Sequence, residues 1–205
     1  MTHIALLSEL ARRDTPQELP NHVAQISEMA RELTRNMDEI VWAVDPQNDT
    51  LDSLVTYVSK FAQEYLSVAN IRCRLDLPPE LPPYVLPAEV RHNLFLAIKE
   101  ALHNVVKHAG ASEAWLRIEV RPLAFTMVIE DNGCGLSATK VNGVARKDRI
   151  SSGHGLANME RRLRTAGGSC VVTSSENRGT RVEMSVDLTA PRSPEVVTGG
   201  NGTSH

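Results

Sequence analysis

Residues 99–109, Lys-Glu-Ala-Leu-His-Asn-Val-Val-Lys-His-Ala, constrain this chain more than any other stretch. Read as the end of a helix over about 88–109, they set Glu100, Asn104 and His108 at steps of four, on one face. Leu94, Ile98, Ala101, Leu102, Val105 and Val106 fill the opposite side. Such a helix must bury its apolar side on a core. It must also keep a carboxylate, a carboxamide, an imidazole and the Lys107 ammonium close together. A carboxylate one turn from an amide oxygen suits a Mg²⁺ ion that keeps most of its waters and is shared with phosphates. Taken alone, the same pattern also describes an ordinary amphipathic helix with a solvated face.

The chain is long enough for one core plus an appendage: 205 residues, 41% hydrophobic and 23% charged. A net charge of -3 gives no basic field for nucleic acid or anionic lipid. No apolar run approaches a membrane span, and the N-terminus has no signal-peptide pattern. Cys73, Cys134 and Cys170 lie far apart, fitting neither a metal pair nor a disulfide framework. A reducing, cytoplasmic setting is expected, with any membrane anchor of a parent protein upstream.

In order, residues 2–12 read as a short helix with apolar Ile4, Leu7, Leu10 and Ala11, broken by prolines 16 and 20. A long helix over about 22–44 carries Val23, Ile26, Ala30, Leu33, Met37, Ile40 and Val44 at alternating steps of three and four, a coiled-coil seam. Residues 1–45 are thus expected to form a helical hairpin that pairs with a second copy into a four-helix bundle, giving a homodimer. The alternative is that the stripe packs on the chain's own globular part. Pro46 marks the boundary to a domain over 46–190. A helix is expected at 51–67, a strand at 71–77, the helix at 88–109, and strands at 113–121 and 124–130. A polar loop at 136–152, a helix at 154–166 and strands at 171–174 and 182–186 follow. Residues 191–205, rich in Pro, Gly, Ser and Thr, read as a disordered tail.

Two further motifs carry chemistry. The strand ending at Glu130 runs into Asp131-Asn132-Gly133-Cys134-Gly135. The carboxylate can accept from an exocyclic amine such as that of adenine, and the glycines let a flat ligand approach. A plain Asn-Gly turn is the simpler account. Next, Ser151-Ser152-Gly153-His154-Gly155-Leu156 feeds a helix whose first N–H groups can bind phosphate. It lacks the third glycine and preceding strand of a dinucleotide fingerprint, and there is no Walker sequence. Gly179-Thr180 sits in the last turn, where a small hydroxyl residue can touch ligand.

These four pieces, in this order, resemble the ATP-binding domain of the histidine kinase, gyrase, heat-shock chaperone and MutL superfamily. Glu100…Asn104…His108 resembles its N box, Asp131-x-Gly133-x-Gly135 its G1 box, Gly153-x-Gly155-Leu156 its G2 box and Gly179-Thr180 its last glycine motif. The resemblance covers about residues 50–188. It implies an α+β fold, a two-layer sandwich of the Bergerat type with a mixed sheet, here preceded by the helical hairpin. Asn104-Val105-Val106-Lys107-His108-Ala109, Gly155-Leu156-Ala157-Asn158-Met159 and the segment 37–46 resemble bacterial two-component sensor histidine kinases of the nitrate-sensor and DesK-like class.

That resemblance implies ATP between the helix 88–109 and a lid. Asp131 would hold the adenine amine, and Gly133 and Gly135 would give clearance. Asn104 would ligate Mg²⁺, and Lys107 and His108 would sit near phosphate oxygens. The N–H groups of Gly153, His154, Gly155 and Leu156 would cradle the phosphates, and Thr180 would touch ligand. Glu100 would take a proton from an incoming imidazole. The whole enzyme would phosphorylate its own histidine and pass the group to an aspartate of a response-regulator receiver domain. The acceptor element of that class is not found here: His3 has the wrong neighbours and His22 falls between the helices. The chain therefore reads as a fragment with the ATP site and without the acceptor. His92 and His103 read as surface or packing residues, Cys134 as a spacer, and Arg146, Lys147 and Arg149 as solvated. Two rivals remain: a serine kinase of the anti-sigma-factor kind on the same fold, and a non-catalytic dimeric nucleotide-binding or docking module.

Overall fold

Side-chain alternation decides where the core sits. In the strand Ala124–Asp131, Phe125, Met127 and Ile129 share one face and all three are buried in the main hydrophobic cluster. In the strand Glu113–Arg121 the same is true of Ala114, Leu116 and Ile118. The computed structural model describes residues 19–135, 150–175 and 178–188. Among these, five strands form one sheet: β1 (Arg72–Asp76), β2 (Glu113–Arg121), β3 (Ala124–Asp131), β4 (Gly168–Ser174) and β5 (Thr180–Asp187), in the order β1-β2-β3-β5-β4. β1 and β2 are parallel and every other pair is antiparallel. This is the expected α+β arrangement with a mixed sheet.

Among the described residues, helices cover one face only. They are α1 (Leu19–Val44), α2 (Leu51–Val68), α3 (Ala88–Asn104) and α4 (Ile150–Thr165). In α2, Thr50 caps the start by accepting from the Ser53 N–H at 3.1 Å, and Leu51, Leu54, Val55, Val58, Ala62 and Leu66 form the buried stripe. α3 contributes Leu94, Phe95, Ile98, Ala101 and Leu102, and α4 contributes Met159 and Leu163. Each such side chain larger than alanine, fully buried, stabilises the fold by about 1.5–3 kcal/mol.

The other sheet face carries charge. Glu113 pairs with Arg72 and Arg74, while Arg117 joins Asp76 and Glu130, and Arg181 joins Glu130 and Glu183. Trp115 belongs to this face, with the Arg117 guanidinium 5.8 Å from its ring centroid. That explains why Trp115 breaks the simple alternation of its strand.

α1 starts before the expected residue 22 and docks through a face beside its heptad stripe. It begins at Leu19, so His22 lies in its first turn rather than between helices. Its heptad stripe does not pack on the globular part: Val23, Leu33, Met37, Ile40 and Val44 are all exposed. A neighbouring face docks instead. Lys99 donates to both Glu39 carboxylate oxygens at 2.7 and 2.9 Å, Trp42 stacks on Tyr57 with centroids 3.9 Å apart, and Ala43 is buried. The buried Arg91 guanidinium donates to the Ala43, Asp45 and Leu86 carbonyls, tying the end of α1 to the start of α3. The expected helix over 2–12, most of the loop over 136–152 and the tail over 191–205 lie outside the described residues.

The helix expected over 88–109 changes form at its end. After Asn104 the chain makes a π-helical turn, Val105–Ala109, which closes with Gly110 at φ +60. This wider turn keeps Val105 and Ala109 buried while leaving Val106 and Lys107 exposed.

Candidate functional site

Asp131 is the last residue of β3 and has the parity of Phe125, Met127 and Ile129, so it points to the helix-covered side. It is only 4% exposed. Its carboxylate accepts the Gly133 N–H at 2.8 Å and also the Thr180 N–H. Burial pushes this carboxyl above its ordinary range, the two N–H donors work against that shift, and Glu130 adds to it.

The glycines around Asp131 serve close packing of the chain on itself. A Cβ at Gly133 would strike the Ala109 carbonyl, which also accepts the Cys134 N–H at 2.9 Å. Gly135, at φ +74, lies against the Ser175 carbonyl, and Gly179, at φ +77, against the Asp131 carbonyl. Both glycines are thus packed against backbone on the side where a Cβ would stand. Between them Asn132 Oδ1 accepts the Ser112 and Glu113 N–H groups, both at 3.0 Å. The loop after β3 is therefore fastened to the π-helical turn on one side and to the start of β2 on the other.

A second cluster forms where α3 meets α4. A cleft of about 310 Å³ is lined by Tyr65, Lys99, Glu100, His103 and Arg162, among others. Glu100 occupies the space that a Cβ on Gly155 would take. Tyr65 Oη and His103 Nδ1 are 3.1 Å apart, so His103 has a specific partner in this cleft. α4 starts at Ile150, four residues before the expected start, which puts Gly153 and His154 inside the helix and Gly155 in its second turn. Glycine costs a helix about 1 kcal/mol against alanine, too little to stop one whose later turns bury Met159 and Leu163. Among the described residues, the N–H groups outside the helix's own ladder are then those of residues 150–152. Leu156 packs its side chain against the core.

The structure thus brings Asp131, Gly133, Gly135 and Thr180 together, and Glu100 against Gly155, with α3 and its π-helical turn joining the two groups. Asn104 is half-buried at the end of α3, His108 is half-buried, and Lys107 is exposed. The side chain of His154 lies outside the described residues. Sequence reasoning passed over Asn132, Ser174 and the Lys99–Glu39 pair. For Asn132 the Asn-Gly pair was itself a turn signal; nothing local marks the other two.

Residues 89–190 match the family described as histidine kinase-, DNA gyrase B-, and HSP90-like ATPase. Residues 89–190 belong to that family. The ATPase domain is 34% identical over 103 residues to the signal transduction histidine-protein kinase/phosphatase DegS of Brevibacillus brevis, covering 50% of this chain and 25% of that protein. The nitrate/nitrite sensor protein NarX of Escherichia coli (strain K12) is 28% identical over 120 residues, 58% of this chain and 18% of its own length. The sensor histidine kinase LiaS of Bacillus subtilis is 23% identical over 176 residues, 86% of this chain and 46% of its own length. The chain therefore spans a half or less of these relatives. The fold matches the histidine kinase domain of the Erythrobacter litoralis EL346 blue-light activated histidine kinase, with a TM-score of 0.55, 16% identity, and 90% and 92% of the two chains covered. The ATPase domain is thus of the kind found in sensor kinases, a family that binds ATP. Among the described residues no helix is long and apolar enough to cross a membrane.

Proposed function

We propose that this chain is the ATP-binding, phosphoryl-donating part of a sensor histidine kinase. The observation that supports this most is Asp131, a buried carboxylate held by two backbone donors beside the end of α3. On this reading it accepts a hydrogen bond from the adenine amine, with Thr180 beside it. Gly133 and Gly135 hold the loop that carries it.

The phosphates then run toward α4, whose first N–H groups, at residues 150–152, suit an anion. Lys107 and His108 lie at the end of the helix that faces them. Among the described residues no group of three His, Cys, Asp or Glu could cage a metal. The single Asn104 carboxamide fits a Mg²⁺ that takes its other ligands from phosphate and water. When bound, that ion neutralises charge on the phosphates. Glu100, held against Gly155 at the wall of an open cleft, accepts the proton of an incoming imidazole. The phosphohistidine then passes its group to an aspartate of a response-regulator receiver domain. The exposed stripe of α1 supports a homodimer through residues 1–45, with the catalytic domain over 46–190. An ATP substrate favours a cytoplasmic location.

The test is incubation of the chain with γ-labelled ATP and a separately supplied helical hairpin bearing an acceptor histidine. Acid-labile, alkali-stable label on the hairpin is expected. Label on a serine would favour the serine-kinase reading. ATP binding without any transfer would favour a nucleotide-binding or docking module.

A further inference from the structure

Ser174 ends β4 and faces Thr180 directly across the β4–β5 pair. Its Oγ–H donates to the Gly179 carbonyl at 3.0 Å, and its Oγ lies 3.1 Å from Thr180 Oγ1. A hydroxyl has one proton to give. A carbonyl can only accept, so the Ser174 proton belongs to Gly179. The Ser174–Thr180 contact is then made by the Thr180 proton, donated to Ser174. What Thr180 Oγ1 has left is lone pairs.

Thr180 has the parity of Val182, Met184 and Val186, which are buried on the helix side of the sheet, the side to which Asp131 also points. Its N–H already binds the Asp131 carboxylate. The two side chains are therefore neighbours, and both present acceptors.

We infer that Ser174 is a specificity-determining positioning residue. By fixing the direction of the Thr180 hydroxyl, it makes this end of the site accept only, selecting a purine with a 6-amino donor over one with a 6-oxo acceptor. This rests on the reading of Asp131 as the base-binding carboxylate. Without Ser174 the Thr180 hydroxyl turns freely and can donate, and a 6-oxo purine then finds a donor.

The test compares ATP with inosine 5′-triphosphate, which replaces the amine by an oxo group, in titration calorimetry of the whole chain. The wild type is expected to favour ATP. In Ser174→Ala the preference narrows by roughly 2- to 10-fold, the span of one neutral hydrogen bond, mainly through tighter inosine triphosphate. Ser174→Thr keeps the hydroxyl and restores the preference. An unchanged ratio in Ser174→Ala, or equal weakening of both nucleotides, overturns the role of Ser174. A wild type that binds both equally, or neither, overturns the reading of Asp131, and the role of Ser174 with it.

Discussion

The Glu100 carboxylate fills the space that a side chain on Gly155 would need. A residue on α3 thereby lies directly against a residue on α4, with the carboxylate at the wall of the open cleft. Gly155→Ala is expected to displace it. Phosphoryl transfer should fall roughly 10- to 100-fold, the usual effect of a misplaced reacting group, with ATP affinity nearly unchanged in calorimetry. Glu100→Gln should cost as much, and the double variant should lose no more than either single one. Additive losses would mean that Gly155 acts elsewhere.

Asp131→Asn replaces an acceptor by a group that can turn its donor toward the base. ATP affinity should fall roughly 10- to 100-fold, the worth of a hydrogen bond to a charged group. Affinity for purine riboside triphosphate, which has no amine, should change far less.

The pH dependence follows from burial of the same carboxyl. Its pKa in the folded chain lies above its ordinary 3.8. Between those two values the folded chain binds more proton than the unfolded one, so stability falls as pH rises through that window. Adenine selectivity runs the other way, because only the ionised form accepts freely. The ratio of purine riboside triphosphate to ATP dissociation constants should shrink on acidification, and the fall should begin above the ordinary aspartate range. In Asp131→Asn that ratio should be flat.

Docking of α1 rests on few contacts, and Lys99 is central to them. Lys99→Met leaves Glu39 buried without its cation, costing about 1–3 kcal/mol. Trp42 emission should shift to the red as its stack on Tyr57 loosens, while ATP affinity stays unchanged. Equal emission in variant and wild type would show that the aromatic stack holds α1 by itself.

Phe95 is fully buried and sits among Trp42, Tyr57 and Phe61, with centroids 5.1 to 6.3 Å from its own. Phe95→Ala should destabilise the domain by about 3–5 kcal/mol in urea unfolding. Phe95→Leu should recover a large share of that loss.

Much of the fold was legible because local pattern and final burial agree. Phe125, Met127 and Ile129 alternate in the chain and face one core, and Leu51 to Leu66 repeat at helical spacing on one face of α2. Asp131 stood out in the sequence because it lies between a strand end and two glycines, and the structure buries it there. The docked face of α1 was not, because Glu39, Trp42 and Ala43 make a weaker pattern than the heptad stripe beside them. The Glu39–Lys99 pair joins residues far apart in sequence, and nothing near either one announces the other. The start of α4 was misplaced because glycines read as loop, yet they cost the helix little against its buried turns. Ser174 was missed because its role is to aim another residue's proton, which no spacing records.

The π-helical turn after Asn104 makes residue count a part of the site. Deleting one residue there shifts the helical register of everything beyond it by about 100°. Ala109 would then leave the carbonyl contact that seats Gly133, and Lys107 would face a new direction. Substitutions in this segment change what is displayed; a change of length changes where it is displayed. A shuffled or inserted segment here is therefore far less forgiving than its exposed side chains suggest.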